Sequence, residues 1–507
     1  MRFMSKEEFF ERARDATIIP VFKELIADES TPVSVYRALC SGETHSFLLE
    51  SVEHGERWSR YSFIGACPLG ILSFKNQKVQ FQTSDRTLSD HFETGNFPKL
   101  LDQLQYLLAS LSCDPHLELP PLQSGFVGYL GYDVIREVEN IGPTPFDPID
   151  FPDAQLVLIG DIACFDHLRQ RIFLVSNVVV PKNADHPLLE RLYLKATGRL
   201  ADMAQRIHAA KARPLAISDV AKSDSLENLS VSMSSRQYCS AVQVAKEHIL
   251  EGDIFQVVLS KRFSFDLMCD PLTFYRVLRL KNPSPYMYYI DFPEIKIAGS
   301  SPEPLVRVEG QKVISRPIAG TRPRGENEAQ DKMLASELLE HPKELAEHIM
   351  LVDLARNDLG RVSKYGSEVI DELMTLERYS RVMHLTSQVS AQLRDGVSTV
   401  DVLRATMPAG TVSGAPKVRA MEIINDLEPV KRGPYAGVVG YFDLAGNMDI
   451  AIALRTLFME PNNRAHLQAG AGIVFDSDPA AEDEECNNKA RALLEAASLA
   501  RDSYSDI

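Results

Sequence analysis

The chain has no pair of cysteines at the spacing of a metal or redox motif. Its seven cysteines, Cys40, Cys67, Cys113, Cys164, Cys239, Cys269 and Cys486, are scattered over 507 residues. An odd number without CxxC spacing speaks against a disulfide framework or a zinc site and fits a reducing cytoplasm. There is no charge-free apolar stretch of about 18 residues, so no membrane span is expected. The opening MRFMSKEEFFERARD is charged throughout and contains acids, unlike a signal or transit peptide. Basic residues are in deficit: 54 Lys and Arg stand against 70 Asp and Glu, a net charge of -16. That balance argues against a general nucleic-acid binder, which needs a basic footprint. An anionic substrate would need a local basic pocket. Neither a tandem repeat nor a compositionally simple tract is present.

What is present is an ordinary globular composition, 45% hydrophobic and 24% charged, which can bury a large core. The first two hundred residues alternate short strand-like and turn-like pieces, among them 46–51, 60–65 and 124–133. AQLVLIGDIACFDH and RIFLVSNVVV read as a buried hairpin pair. Helical spacing follows over 188–211. The Ser-rich, polar stretch 211–233 predicts a linker between an N-terminal part, 1–210, and a C-terminal domain, 234–507. In that domain SRQYCSAVQVAKEHILEGD reads as a helix ending near Gly252, and IFQVVLSKRFSF as a strand. Further strands join at Glu309-Gly310 and around Ala445-Gly446-Asn447. HPKELAEHIMLVDLARND and AEDEECNNKARALLEAASLA read as helices. Strand runs and helix runs without strict alternation predict the α+β class, sheets backed by helices.

Two acidic helices carry the first chemical signal. Glu344 and Glu347 are three residues apart and share a helix face, and Glu482 and Glu485 repeat the spacing. A cation between the two helices would relieve both repulsions. Mg²⁺ suits such carboxylates, because it takes oxygen ligands and keeps several waters. A solvated acidic face would account for either pair alone. Three glycine-rich turns, PIAGTRPRG (317–325), PAGTVSGAPK (408–417) and QAGAGIV (468–474), free backbone N–H groups for an anion, or serve simply as turns. PAGTVSGAPK lacks the GxxxxGK[ST] pattern, so no nucleotide is inferred. Arg455, in the apolar AIALRTLF, is expected in a buried strand, where it needs an acidic partner from protein or ligand. His384 reads as a core histidine or a catalyst. Glu303, in GSSPEP, follows a strand end and reads as a turn carboxylate.

Taken in order, AEHIMLVDLARNDLGRV, PIAGTRPRG, PAGTVSGAPKVRAME, GPYAGVVGY and EDEECNNKA resemble the chorismate-utilising enzymes. The likeness is close over 234–500, and the N-terminal part carries LLES and RYSFIG. The resemblance implies two large, mostly antiparallel sheets packed as a sandwich with helices on the outer faces. It implies a regulatory N-terminal domain and a chorismate-binding catalytic domain. Mg²⁺ would be held chiefly by Glu347 and Glu485, with Glu344 and Glu482 helping directly or through water. Glu303 would protonate the departing C4 oxygen of chorismate, and His384 would assist loss of pyruvate. Arg455 and Tyr435 would hold the enolpyruvyl carboxylate, with backbone N–H groups near Gly470, Ala471 and Gly472. Thr411, in the catalytic group, and Gly320 and Thr321 would line the substrate.

Two positions bear on the branch of the family. Water-adding members carry a lysine base where this chain has Gln256, and ammonia needs no such base. Aminodeoxychorismate-forming members often carry a ring-attacking lysine where this chain has Ala319. Both point to amination at C2, giving anthranilate on the path to tryptophan. The alternatives are a member making aminodeoxychorismate or isochorismate, and a non-catalytic amino-acid-binding regulator. The resemblance further implies feedback by L-tryptophan at Ser51, Pro285, Tyr286 and Met287. Ammonia would come from a separate glutamine amidotransferase subunit, in a heterotetramer of two chains of each kind. Beside the second acidic pair, Cys486 and Asp483 depart from the family's common threonine and aromatic residue.

Overall fold

In the computed structural model, which describes residues 2–51, 60–94, 97–113, 119–210, 226–378 and 382–504, alternating apolar segments from both halves of the chain combine into two antiparallel sheets. Among the described residues the first sheet has 12 strands and the second 11. In the first, strand Ser46–Glu50 of the N-terminal part pairs with Tyr286–Asp291, Met287 opposite Glu50. In the second, Gly125–Leu130 pairs with Val438–Asp443. Each sheet therefore runs across the expected boundary near 211–233, of which 211–225 lies outside the described residues. Apolar side chains from both sheets share one core, as where the rings of Phe63 and Tyr441 meet 5.9 Å apart. This is the expected α+β architecture.

Most elements lie where the periodicity put them, and one departure concerns which sheet a strand joins. AQLVLIGDIACFDH is two strands in different sheets: Ala154–Leu158 joins the second, and Asp161–Asp166 forms a hairpin with Arg171–Val179 in the first. The change of sheet passes through Gly160, where a Cβ would lie 1.9 Å from the Cys67 carbonyl oxygen. Only glycine permits that approach.

Helices cover the sheets. Ser235–Leu250 starts at a capping box between Ser234 and Gln237 and buries Tyr238, Ala241, Val242 and Ala245 against the first sheet. Pro479–Tyr504 lies beside it on strand Arg464–Ile473. Pro342–Gly360 packs on the second sheet, with His348 buried and 2.6 Å from the Ser387 hydroxyl. No helix among the described residues is long and apolar enough to cross a membrane.

The departure at Asp483 has a structural counterpart. Its carboxylate meets Lys261 of strand Gln256–Asp266 at 2.5 Å, both side chains buried. The ammonium also faces the rings of Tyr238 and Phe263. An ion pair thus fastens the last helix to the sheet. Asp483→Ala is expected to cost about 3–5 kcal/mol in urea unfolding, because Lys261 stays buried without its partner. A loss below about 1 kcal/mol, the scale of an exposed pair, would contradict this.

Candidate active site

Two chain segments change sheets side by side, and the site forms there. The first passes from strand Lys296–Ser301 in the first sheet to Pro304–Glu309 in the second, with Glu303 between them. The other returns from Met448–Ile452 to Thr456–Met459 and carries Arg455. Hydrogen bonds tie the crossings together: Ile452 N–H to the Glu303 carbonyl at 3.0 Å, Ser300 N–H to that of Arg455 at 3.1 Å, and Ser301 Oγ to that of Ile452 at 2.6 Å. Arg455 was expected inside a buried strand. It is instead a half-buried residue at the break, in the left-handed region at φ +47. A sharp change of sheet interrupts the strand that the apolar run suggests.

Glu303 is 8% exposed, and Thr411 Oγ1 donates to its Oε1 at 2.8 Å. Burial pushes this carboxyl up to about 7, against the Thr411 hydrogen bond and the positive charges of Lys489 and Arg455. Thr411 lies in the 3₁₀ turn Gly410–Val412 within PAGTVSGAPK. His384, on strand Val382–Gln392, has Nδ1 2.9 Å from Thr321 Oγ1 and 3.3 Å from the Gly320 carbonyl. Burial, and then the Arg455 charge, lower it to about 4. It is therefore neutral at pH 7. With its proton donated from Nδ1 to Gly320, the lone pair is on Nε2. Gly320 occupies a bulge between Ala319 and Thr321 at φ +62, and a Cβ there would come 3.1 Å from Glu344 Oε2.

Gly470, Ala471 and Gly472 lie on strand Arg464–Ile473, opposite Ser260, Leu259 and Val258. The buried Tyr435 puts its hydroxyl 3.0 Å from where a Gly470 Cβ would be. Gln256 Nε2 is 2.8 Å from the corresponding point on Gly472. The Gln256 amide oxygen is buried and has no hydrogen-bond partner among the described residues. A buried acceptor in that state is costly, and an N–H donor on a ligand would relieve it.

The four glutamates lie on the two expected helices, Glu344 and Glu347 on Pro342–Gly360 and Glu482 and Glu485 on Pro479–Tyr504. They do not close into a ligand cluster. Among the described residues, the metal-capable group that does gather is His248, Glu251 and Asp253, whose Asp253 is taken by Arg419 at 2.7 Å. Glu344 meets Arg322 at 3.1 Å, and Glu485 meets Lys489 at 2.7 Å. The all-carboxylate donor set suits Mg²⁺, and the cations beside two of these groups mark ground that favours positive charge.

Sequence reasoning missed Lys489, which also donates to the Gly470 carbonyl at 2.9 Å and acts electrostatically on Glu303. Its signal was the spacing of four from Glu485. Lys417 is equally informative: it holds Asp358 of the first acidic helix at 2.7 Å. That is a brace, in keeping with the absence of a phosphate loop.

Ser51, Pro285, Tyr286 and Met287 meet in a separate cavity of about 590 Å³, with Arg60, Arg307, Tyr441 and Asp449 among its walls. The Ser51 hydroxyl is buried without a partner among the described residues. Glu50 beside it is held by Arg279 and Tyr275. Across the sheet, Tyr286 is paired with Ser301, two residues from Glu303.

Comparison with known proteins decides the family. A model described as chorismate binding enzyme matches residues 49–495. The chain belongs to the chorismate-binding enzymes. Among its relatives, anthranilate synthase component 1 of Acetivibrio thermocellus is 43% identical over 96% of each chain. That of Pseudomonas aeruginosa is 43% identical over 99% of this chain and 100% of its own length. The crystal structure of anthranilate synthase component I from Streptococcus pneumoniae superposes with a TM-score of 0.72 at 35% identity, covering 93% of this chain and 99% of that one. The resemblance read from the motifs thus holds along nearly the whole chain.

In this chorismate-binding enzyme the raised value of Glu303 has a stability signature. Its contribution is complete below the ordinary 4.5 and is lost as pH rises through about 7. Relative to Glu303→Gln, the wild type is expected to lose stability across that window in urea titrations. Parallel profiles would contradict it. Asp443, also pushed up to about 7 by burial, is common to both proteins and cancels.

Proposed function

We propose that this chain is the synthase component of an anthranilate synthase, converting chorismate and ammonia to anthranilate and pyruvate for tryptophan synthesis in the cytoplasm. Glu303 carries the reading: a buried carboxyl that keeps its proton near neutral pH, hydrogen-bonded to Thr411. Chorismate has two carboxylates, an enolpyruvyl ether and a hydroxyl at ring C4. Ammonia adds at C2 while Glu303 protonates the leaving C4 oxygen. The neutral His384 then assists loss of pyruvate as a proton acceptor. Arg455 and Tyr435 orient the enolpyruvyl carboxylate with backbone N–H groups near Gly470–Gly472, while Gly320 and Thr321 line the ring. Glu347 and Glu485, helped by Glu344 and Glu482, would hold Mg²⁺, which when bound supplies Lewis-acid binding of the ring carboxylate.

Amination rather than hydration is favoured by Gln256, a neutral amide with an unpaired acceptor oxygen able to take an N–H. Ala319 offers no nucleophile to the ring. The ammonia source is a glutamine amidotransferase subunit, in a heterotetramer with two chains of each component. The cavity at Ser51 combines apolar walls such as Phe63 and Met287 with charged groups of both signs, Arg60, Arg307 and Asp449, a mix that suits the zwitterion and ring of tryptophan as a feedback inhibitor.

Chorismate, Mg²⁺ and ammonium salt are expected to give anthranilate fluorescence, with kcat falling as pH rises through the Glu303 value of about 7. Glu303→Gln should lower kcat by about 10²–10⁴-fold. A non-aromatic product would move the chain to an aminodeoxychorismate- or isochorismate-forming branch, and no turnover would favour a regulatory binder. Tryptophan should inhibit the wild type and act more weakly on Ser51→Phe, which fills the cavity. Wild-type activity indifferent to millimolar tryptophan would refute the regulatory part.

A further inference from the structure

The Thr411 turn is anchored from behind by a buried ion pair. Arg432 is 3% exposed and Glu428 4%. Arg432 Nε donates to Glu428 Oε2 at 2.8 Å and Nη2 to Oε1 at 2.7 Å. The remaining donors go to backbone: Nη1 to the Val412 carbonyl and Nη2 to the Val258 carbonyl, each at 2.7 Å. Val412 follows Thr411, and Val258 lies opposite Gly472. The guanidinium therefore joins the turn that holds Glu303 to the strand behind the glycine segment. Val258 N–H closes the same seam by donating to the Ser413 carbonyl at 2.9 Å.

Glu428 fixes the other side. Its Oε1 accepts from Ser260 N–H at 2.8 Å and Ser260 Oγ at 2.7 Å, and Ser260 Oγ in turn accepts from Gln468 at 2.8 Å. Ser260 faces Gly470 across the strands. The Arg432 guanidinium also lies 5.6 Å from the ring of Tyr435 and 4.7 Å from that of Tyr132. A planar fork with five donors can satisfy two carbonyls and a carboxylate at once, and a lysine cannot.

We propose that the Arg432–Glu428 pair is the positioning unit of the active site, setting Thr411 against Glu303 and Tyr435 against Gly470. Neither residue touches the reacting atoms. The pair works by fixing one turn, one strand and one ring relative to each other. A buried pair is a weak source of net stability, whereas a misplacement of about 1 Å in a site can cost about 100-fold in rate. The inference rests on the chorismate-aminating reading above.

Glu428→Gln tests it: the amide oxygen can keep accepting from Ser260, while the charge is lost and the amide NH2 replaces the acceptor of Arg432 Nε. Arg432→Lys is the companion variant. Each would be assayed with chorismate, Mg²⁺ and ammonium across pH, with folding followed by circular dichroism. For Glu428→Gln we expect kcat down by about 100-fold and the alkaline limb moved to higher pH. The direction follows because Thr411 normally lowers the Glu303 value and its hold is loosened. Thr411→Val should move the limb the same way, and Thr411→Val with Glu428→Gln should move it no further. A folded Glu428→Gln with unchanged kcat and limb overturns the proposal. Should Glu428→Gln unfold, as the loss of a buried ionic partner can cause, Arg432→Lys decides by the same two readouts, and a folded Arg432→Lys with unchanged kcat and limb overturns the proposal. A wild type that makes no anthranilate fails the underlying reading instead, whatever the variants do.

Discussion

Burying the Glu303 carboxyl is the constraint on which the rest of the site depends. An acid with an ordinary carboxyl value would be ionised at neutral pH and could not protonate a leaving hydroxyl. Removal from water raises it, but removal from water needs walls, and the two sheets provide them. Glu303 sits where the chain leaves one sheet for the other, beside a second crossing that carries Arg455. The enclosure of Glu303 and the approach of Arg455 follow from these paired crossings, while Thr411 arrives on the turn Gly410–Val412 and Lys489 on the last helix.

Charge balance then tunes the site. Arg455 and Lys489 both pull the Glu303 value down, yet burial outweighs them. The same Arg455 helps keep His384 uncharged. Burial thus favours the uncharged form of both groups, and the shared cation opposes it at Glu303 and supports it at His384. The acidic helices stand at the rim with Arg322 and Lys489 as counter-ions.

Much of this was legible in the residues. The helix ends at His341-Pro342 and near Gly252, the hairpin at Glu309-Gly310 and the turn at Ala445-Gly446-Asn447 follow from local rules and were found as expected. What local rules do not encode is which sheet a strand joins. Leu158 and Asp161 look like one apolar run, yet belong to different sheets. Arg455 looked like a strand residue because its neighbours are apolar, and the break at φ +47 leaves no periodic trace. The chemical roles proposed for these residues come from motif resemblance, since Glu303 alone reads as a turn carboxylate. Lys489 and the Arg432–Glu428 pair show in the sequence only as charges four residues apart, and what ties them to the site, the carbonyls of Gly470, Val412 and Val258, is distant in sequence.

The central claim is that Glu303 holds its proton near neutral pH. Infrared difference titration of the protonated carboxyl C=O band, wild type minus Glu303→Gln, tests it most directly. The account predicts a band present at acid pH that disappears with a midpoint at about 7. A band lost near the ordinary carboxyl value of 4.5 would contradict it.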